Sequence, residues 1–231
     1  MPAAVPAPVS SAGLDRPVPA AFLCRFEVAL PKVGEDALEP PFDLPADAEL
    51  PHFAGLDGAP RFARVQIGWT PAGLAVRCET EGKSRKPEAS PKAVAAGEGL
   101  HLWVDTRPTG TAHRGGRYCT RFALLPRVGR AGKPGVYEAP IMKAGEASVA
   151  EPLPVPLRAV VEAEGYCVEA FLPAEVLPGF DPERSAAIAV HTVVADEELG
   201  DQPLTVGGEF PTAHDPSLWT RATLSDGRSS E

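Results

Sequence analysis

The chain has 231 residues, 44% of them hydrophobic and 23% charged, and its formal net charge at pH 7 is −9. The first two values are typical of a folded globular domain and exclude a disordered chain. The acidic balance disfavours nucleic acid and anionic membranes as partners, because both attract clustered positive charge.

The predicted elements are short strands throughout, since 27 prolines and 22 glycines punctuate the sequence and no long amphipathic helix is present. In chain order the alternating segments are 22–28, 63–69 with 74–78 as a hairpin, 99–106 returning over 117–125, 136–142, 155–164 with 166–172 as a second hairpin, 185–194, and the closing SLWTRATL. Loops are expected over 40–60 and 81–98, and one helical turn or compact loop in LPAEVLPGFDPE. About ten short strands predict an all-β fold, a two-layer antiparallel β-sandwich.

The sequence predicts a single domain over 21–225. A flexible Pro/Ala-rich tail is expected at 1–20 and a short tail at 226–231. The first residues, MPAAVPAPVSSAGLDRP, lack the charged and apolar regions of a secretory signal, and no apolar run reaches transmembrane length. We therefore expect a cytoplasmic protein. Its cysteines (Cys24, Cys78, Cys119 and Cys167) have no metal-binding spacing and are expected as free thiols, with a Cys119–Cys167 disulfide as the open alternative.

The strand GLHLWVD carries polar residues on the face opposite its apolar one. Leu100, Leu102 and Val104 alternate with His101, Trp103 and Asp105. Trp103 is therefore either packed under a further layer or exposed as a stacking platform for a ligand. For Trp69 and Trp219 the pattern favours core packing.

A basic segment follows this strand, although the protein as a whole is acidic. Its arginines are Arg107, Arg114, Arg117, Arg121, Arg127 and Arg130. Guanidinium groups suit carboxylates, phosphates and sugar hydroxyls, so the segment is a candidate binding surface. The ligand-binding hypothesis names His101, Trp103, Arg107, His113, Arg114, Arg117 and Trp219. Two alternatives remain: pairing with the protein's own acids, or docking of an acidic protein partner.

Catalytic motifs are absent from the sequence, so no catalytic residue and no metal ligand is assigned and an enzymatic function is not favoured. One acidic cluster comprises Asp196, Glu197, Glu198 and Asp201. It could supply a glycoside hydrolase with paired carboxylates or Ca²⁺ with oxygen ligands. A solvated loop is the favoured interpretation of these acids.

Three segments resemble family 9 carbohydrate-binding modules: EGLHLWVDTR…HRGGRYCTRFALLP, VEAEGYCVEAFLPAEVLPGFDP and GGEFPTAHDPSLWTRATL. The resemblance spans roughly 60–225 and is greatest to stand-alone bacterial proteins such as those of planctomycetes. It implies a DOMON-like sandwich of two antiparallel sheets that binds a saccharide between stacked tryptophans and holds structural calcium. On this resemblance Trp103 is the stacking platform, Trp219 is a second wall, and the ligand is a saccharide or another small polar molecule.

Overall fold

The computed structural model describes residues 18–141 and 151–226, and these form two packed β-sheets. The strands are β1 (Glu27–Pro31), β2 (Ala63–Thr70), β3 (Gly73–Glu81), β4 (Gly99–Asp105), β5 (Cys119–Val128), β6 (Lys133–Ala139), β7 (Leu157–Val161), β8 (Gly165–Pro173), β9 (Ala187–Ala195), β10 (Gln202–Pro203) and β11 (Thr220–Ser225). The larger sheet has the order β1-β11-β9-β4-β5-β6, with β10 beside β9, and the smaller has the order β2-β3-β8-β7. The predicted β-sandwich is confirmed.

Within residues 18–141 and 151–226, helical structure is limited to single turns in the connections. The helical segments are α1 (Ala20–Leu23) and six 3₁₀ turns, Glu35–Leu38, Ala46–Ala48, Phe53–Asp57, Val94–Ala96, Ala174–Val176 and Pro216–Leu218. No helix among the described residues is long and apolar enough to cross a membrane.

The main core lies between the two sheets and is built by the alternation of apolar residues along each strand. Leu100, Leu102 and Val104 of β4 face Val76 and Val168 of the other sheet within one buried cluster. The two hairpins that the sequence predicts are formed by β2 with β3 and by β7 with β8. Both faces of β9 are buried along most of its length, as its continuous apolar sequence predicts.

The first strand differs from its prediction. Residues 20–23 form a helical turn, and the strand begins only at Glu27. It pairs in parallel with β11, so the sandwich is not wholly antiparallel. This pairing brings the first and last strands together, which no local pattern could predict. The strand expected over 136–142 is β6, and Met142 lies outside the described residues.

The connections form a further layer over both outer faces of the sandwich. On the larger sheet, segments 89–94 and 213–219 pack over β4, β5, β6 and β9 in two apolar clusters. On the smaller sheet, the loop at 33–48 covers Ala75 and Phe171. The polar face of β4 is therefore enclosed and does not form an outer surface.

All four cysteines are free thiols. Cys119 belongs to β5 of the larger sheet and Cys167 to β8 of the smaller. Both lie on outward faces, because their neighbours Thr120 and Val168 point inward. The alternative of a Cys119–Cys167 disulfide is therefore wrong. Of the expected tails, residues 1–17 and 227–231 lie outside the described residues.

Candidate functional site

Trp103 is buried beneath the 213–219 segment, and Trp219, the last residue of that segment, is buried in the same cluster. Their exposed fractions are 4% and 6%. The indole of Trp103 donates a hydrogen bond to Ala213 O at 3.1 Å, and that of Trp219 donates to Thr212 O at 2.7 Å. A tryptophan that stacks on a saccharide must expose one face of its ring. The expectation that Trp103 and Trp219 stack on a ligand is therefore wrong. Buried indoles instead need acceptors, and two consecutive carbonyls of the loop supply them.

His101 is also enclosed, with an exposed fraction of 2%. Its Nε2 donates to Gly97 O at 2.8 Å, and its Nδ1 accepts from Arg121 Nη2 at 3.2 Å, so the imidazole is held neutral. Burial, assisted by the charge of Arg121, lowers the pKa of His101 to about 4. The expectation that His101 contacts a ligand at the surface is therefore wrong. His101 accepts a hydrogen bond from Arg121 and offers no ring nitrogen to solvent.

The other predicted ligand residues are spread over the loop that follows β4. Arg107 lies 4.0 Å from Asp181, and exposed His113 contacts Asp215 at 3.3 Å. Arg117 is exposed and donates to Tyr118 Oη at 2.6 Å. Arg114 is exposed and makes no ion pair with any described residue. The predicted set therefore does not converge on one point, and Arg114 and Arg117 alone flank the pocket described below.

Arg121 occupies a different position from the rest of the basic segment. Its guanidinium carbon lies 4.5 Å from the centroid of the Trp103 ring, a cation–π contact. Its Nη2 donates to Ala95 O at 2.7 Å and to His101 Nδ1 at 3.2 Å. Its Nε is buried without an acceptor. Within 18–141 and 151–226 no carboxylate lies within ion-pair distance of this side chain.

A pocket of about 230 Å³ opens beside Arg121, where β5 begins and β6 ends. It is lined by Gly115, Gly116, Cys119, Thr120, Arg121, Glu138, Ala139, Pro140 and Ile141. Gly115 allows the loop to lie against Ile141, because an added Cβ would come within 2.7 Å of the Ile141 side chain. The pocket thus combines a guanidinium and an apolar wall, whereas Glu138 aligns with core-facing Phe122 and its side chain leaves the sheet on the face opposite to Arg121. We call it the Arg121 pocket.

The acidic cluster at 196–201 is used in packing. Asp196 is buried and pairs with the ammonium of Lys83, which also lies 3.1 Å from Glu98. Glu198 accepts hydrogen bonds from Ser84 N at 2.9 Å and from the Ser84 hydroxyl. These acids do not face each other across an open cleft, as a glycoside hydrolase would require.

Calcium, which the resemblance implies, does not fit the donors present. No group of three or more His, Cys, Asp or Glu side chains in the described part of the chain is arranged to hold a metal ion. The two most enclosed neighbouring carboxylates, Glu98 and Asp196, already share the Lys83 ammonium, which fills the place of a cation.

Together the sheets and the loops that cover them define a two-layer β-sandwich, with the Arg121 pocket at one end. The chain is similar in structure to a family 9 carbohydrate-binding module from Caldicellulosiruptor kristjanssonii in complex with cellotriose, with a TM-score of 0.58 and 14% identity over 88% of this chain and 95% of that one. The module with glucose gives 0.55 and 15% over 90% and 98%. A candidate carbohydrate-binding protein from Bacteroides uniformis gives 0.52 and 10% over 87% and 99%.

These likenesses confirm the family 9 fold and, at such low identity, concern the fold alone. No protein-family model matches the chain, and none of the curated proteins does either. The similarity to planctomycete proteins in particular stays a prediction.

Sequence reasoning placed Arg121 in the basic segment but not among the ligand-binding residues. The signal was available in the strand pairing, because Arg121 lies directly opposite Trp103 in the β4–β5 register. An arginine on the enclosed face of a central strand is unusual, since charged residues seldom lie in interiors without partners. Glu138 and Ile141 could not be found in this way, because they reach the pocket only through the path of β6.

Proposed function

We propose that the protein is a non-catalytic, single-domain β-sandwich over residues 21–225 that binds a saccharide in the Arg121 pocket. The observation that carries the proposal is the pocket itself, in which the guanidinium donors of Arg121 lie beside an apolar wall at one end of the sandwich. Sugars need both kinds of surface, because hydroxyl groups surround an apolar C–H face. Similarity to the modules with cellotriose and glucose supports this class of ligand.

Recognition in this pocket would rely on polar contacts and on aliphatic packing. All three tryptophans are buried, with exposed fractions of 4% to 6%, so none offers a ring for stacking. Arg121 can donate hydrogen bonds to sugar oxygens. Pro140 and Ile141 supply an apolar surface against the sugar ring. The volume is below the range of about 300–1,000 Å³ for drug-sized ligands, which favours one ring.

Calorimetric or NMR titration with neutral and acidic mono- and oligosaccharides tests the proposal. The blocking variant is Gly116→Trp, because Gly116 lines the pocket and a Cβ there meets nothing within 4 Å. The matched control is Gly208→Trp, which has the same freedom and does not line the pocket.

We expect saccharide binding by the wild type and by Gly208→Trp, and its loss in Gly116→Trp. Absence of binding by the wild type to every sugar at millimolar concentration would overturn the proposal. Wild-type affinity in Gly116→Trp would place the ligand elsewhere and would overturn the assignment of the pocket.

A second candidate function is docking of an acidic protein partner. It is favoured by exposed Arg114 and Arg130, neither of which makes an ion pair among the described residues. Docking of this kind would depend on salt and would be abolished by Arg114→Glu combined with Arg117→Glu. It would be unaffected by Arg121→Gln, because that side chain is only partly exposed and lies in the pocket. Saccharide binding in the pocket would be weakened by the same substitution.

A further inference from the structure

Most buried charges in the described chain have partners of opposite sign. Lys83 lies between Glu98 and Asp196, and Glu169 accepts a hydrogen bond from Arg158 at 2.8 Å, whereas buried Asp105 makes no ion pair and accepts from Arg107 N at 2.9 Å. Among the buried and partly buried cations of the described residues, Arg121 is the one without a carboxylate partner. An unpaired charge of this kind is costly in the folded state, so its presence points to a missing anion.

The position of this guanidinium is fixed before any ligand arrives. Trp103 packs against it, and Ala95 O and His101 Nδ1 both accept from the same nitrogen, Nη2. His101 is fixed in turn by Gly97 O. Because no described acceptor contacts Nη1, that nitrogen keeps its two donors for a ligand. A rigid donor loses little conformational entropy on binding.

We infer that the saccharide bound in the Arg121 pocket is acidic, and that its carboxylate pairs with the guanidinium of Arg121. This inference rests on the proposed function and specifies the substrate class of the same site. A planar carboxylate matches the guanidinium in geometry as well as in charge. Arg114 and Arg117 adjoin the lining residues Gly115 and Gly116 in sequence, and both are exposed cations.

The state of Arg121 without ligand supports the same conclusion. Burial lowers the pKa of Arg121 to about 10, so the group is still charged at neutral pH but poorly compensated. An anion in the pocket would restore that compensation. Glu138 makes no ion pair with Arg121, because it is aligned with core-facing Phe122 and its side chain leaves β6 on the opposite face of the sheet. Its carboxylate therefore does not compensate the charge of Arg121.

Pairs of sugars that differ only in a carboxylate isolate the contribution of the ligand's charge to the affinity. Glucose, galactose and mannose are each titrated beside the corresponding uronate, with the wild type, Arg121→Gln and Arg121→Lys. Circular dichroism and thermal unfolding establish that each variant is folded. Arg121→Lys keeps the charge if Arg121→Gln proves unstable. Arg130→Gln, an exposed residue of the same segment outside the pocket, is the control.

We expect at least one uronate to bind about tenfold or more tightly than its neutral counterpart, the effect of one charge-assisted pair. The preference should weaken with added salt and disappear in Arg121→Gln, whereas Arg130→Gln should retain it. Equal binding of neutral sugars and uronates by the wild type would overturn this inference and leave the proposed function standing. Binding of no sugar in either series would overturn both.

Discussion

Two cations lie beside β4, one buried and one partly buried, and their surroundings differ. Near the start of the strand, the Lys83 side chain is 1% exposed and lies between Glu98 and Asp196. Beside the middle of the strand, Arg121 contacts the face of Trp103, a carbonyl and a neutral imidazole, and no carboxylate of the described residues pairs with it. The contrast separates a charge whose partners are built into the fold from one without a carboxylate partner among the described residues.

The Lys83 cluster joins three segments that are distant in sequence. Besides the ion pairs, Glu98 accepts from Glu88 N at 2.6 Å, and Asp196 accepts from Leu199 N at 2.9 Å. Every charge in the cluster is satisfied within the fold, which is the condition under which a buried polar network is tolerated. We therefore expect the Lys83 cluster to contribute to stability, whereas the role proposed for Arg121 is recognition.

The largest effect is expected for Lys83→Met. This change leaves Glu98 and Asp196 buried without a counter-charge, and loss of one partner from a buried pair costs about 3–5 kcal/mol. Chemical denaturation should show this decrease in the free energy of unfolding. Lys86→Met, at an exposed lysine three residues away, should leave it nearly unchanged. Equal stability of the two variants would contradict a structural role for the cluster.

An intermediate effect on the free energy of unfolding is expected for His191. Unlike Lys83 and Arg121, this side chain is buried in its neutral form. It is fully enclosed beside Trp103, with neither ring nitrogen hydrogen-bonded, and burial lowers its pKa from 6.5 to about 4. Between these values the unfolded chain binds a proton that the folded chain does not. Stability should therefore be unaffected by this group above about pH 6.5 and should fall as the pH is lowered towards 4.

The variant His191→Leu isolates this contribution. Unfolding free energies of the wild type and the variant, measured from pH 7 to pH 4, should converge or cross as the pH falls, with a relative change on the order of 3 kcal/mol. His113→Leu, at an exposed histidine, is the control. Parallel curves for the wild type and His191→Leu would show that the imidazole is protonated in the folded state.

The smallest effect on stability is expected for Arg121→Met. Removal of an uncompensated charge is favourable, whereas Ala95 O and His101 Nδ1 lose a donor, so the net change should lie within about 1 kcal/mol. The same denaturation series measures it. A loss as large as that of Lys83→Met would indicate that Arg121 is structural, and the distinction between the two cations would fail.

Local patterns in the sequence predict most of the sheet structure but not what covers it. Alternation places Trp103 and His101 opposite Leu102, and the structure agrees. Alternation does not reveal whether that second face meets water, because the 213–219 segment that covers Trp103 comes more than a hundred residues later. The prediction of a tryptophan stacking site therefore assigned Trp103 to the correct face of β4 but did not account for the segment that covers this face.

Long-range pairing explains the other differences between prediction and structure. Lys83 and Asp196 carry no mutual signal in the sequence, since each looks like an ordinary surface residue of a polar loop. Strand β1 was misplaced because Phe22 and Phe26 continue an apparent alternation, whereas Phe22 in fact stacks on Phe210 at 4.4 Å. Contacts of this kind are decided by the assembled fold.

The parallel pairing of β1 with β11 has a consequence for how the molecule is made. Glu27 aligns with Arg221, and β11 separates β1 from the rest of its sheet. During synthesis, β1 therefore cannot pair with its neighbour until β11 and all the strands between them have been made. Closure of so large a loop is slow, so we expect the last step of folding to be the joining of these two ends.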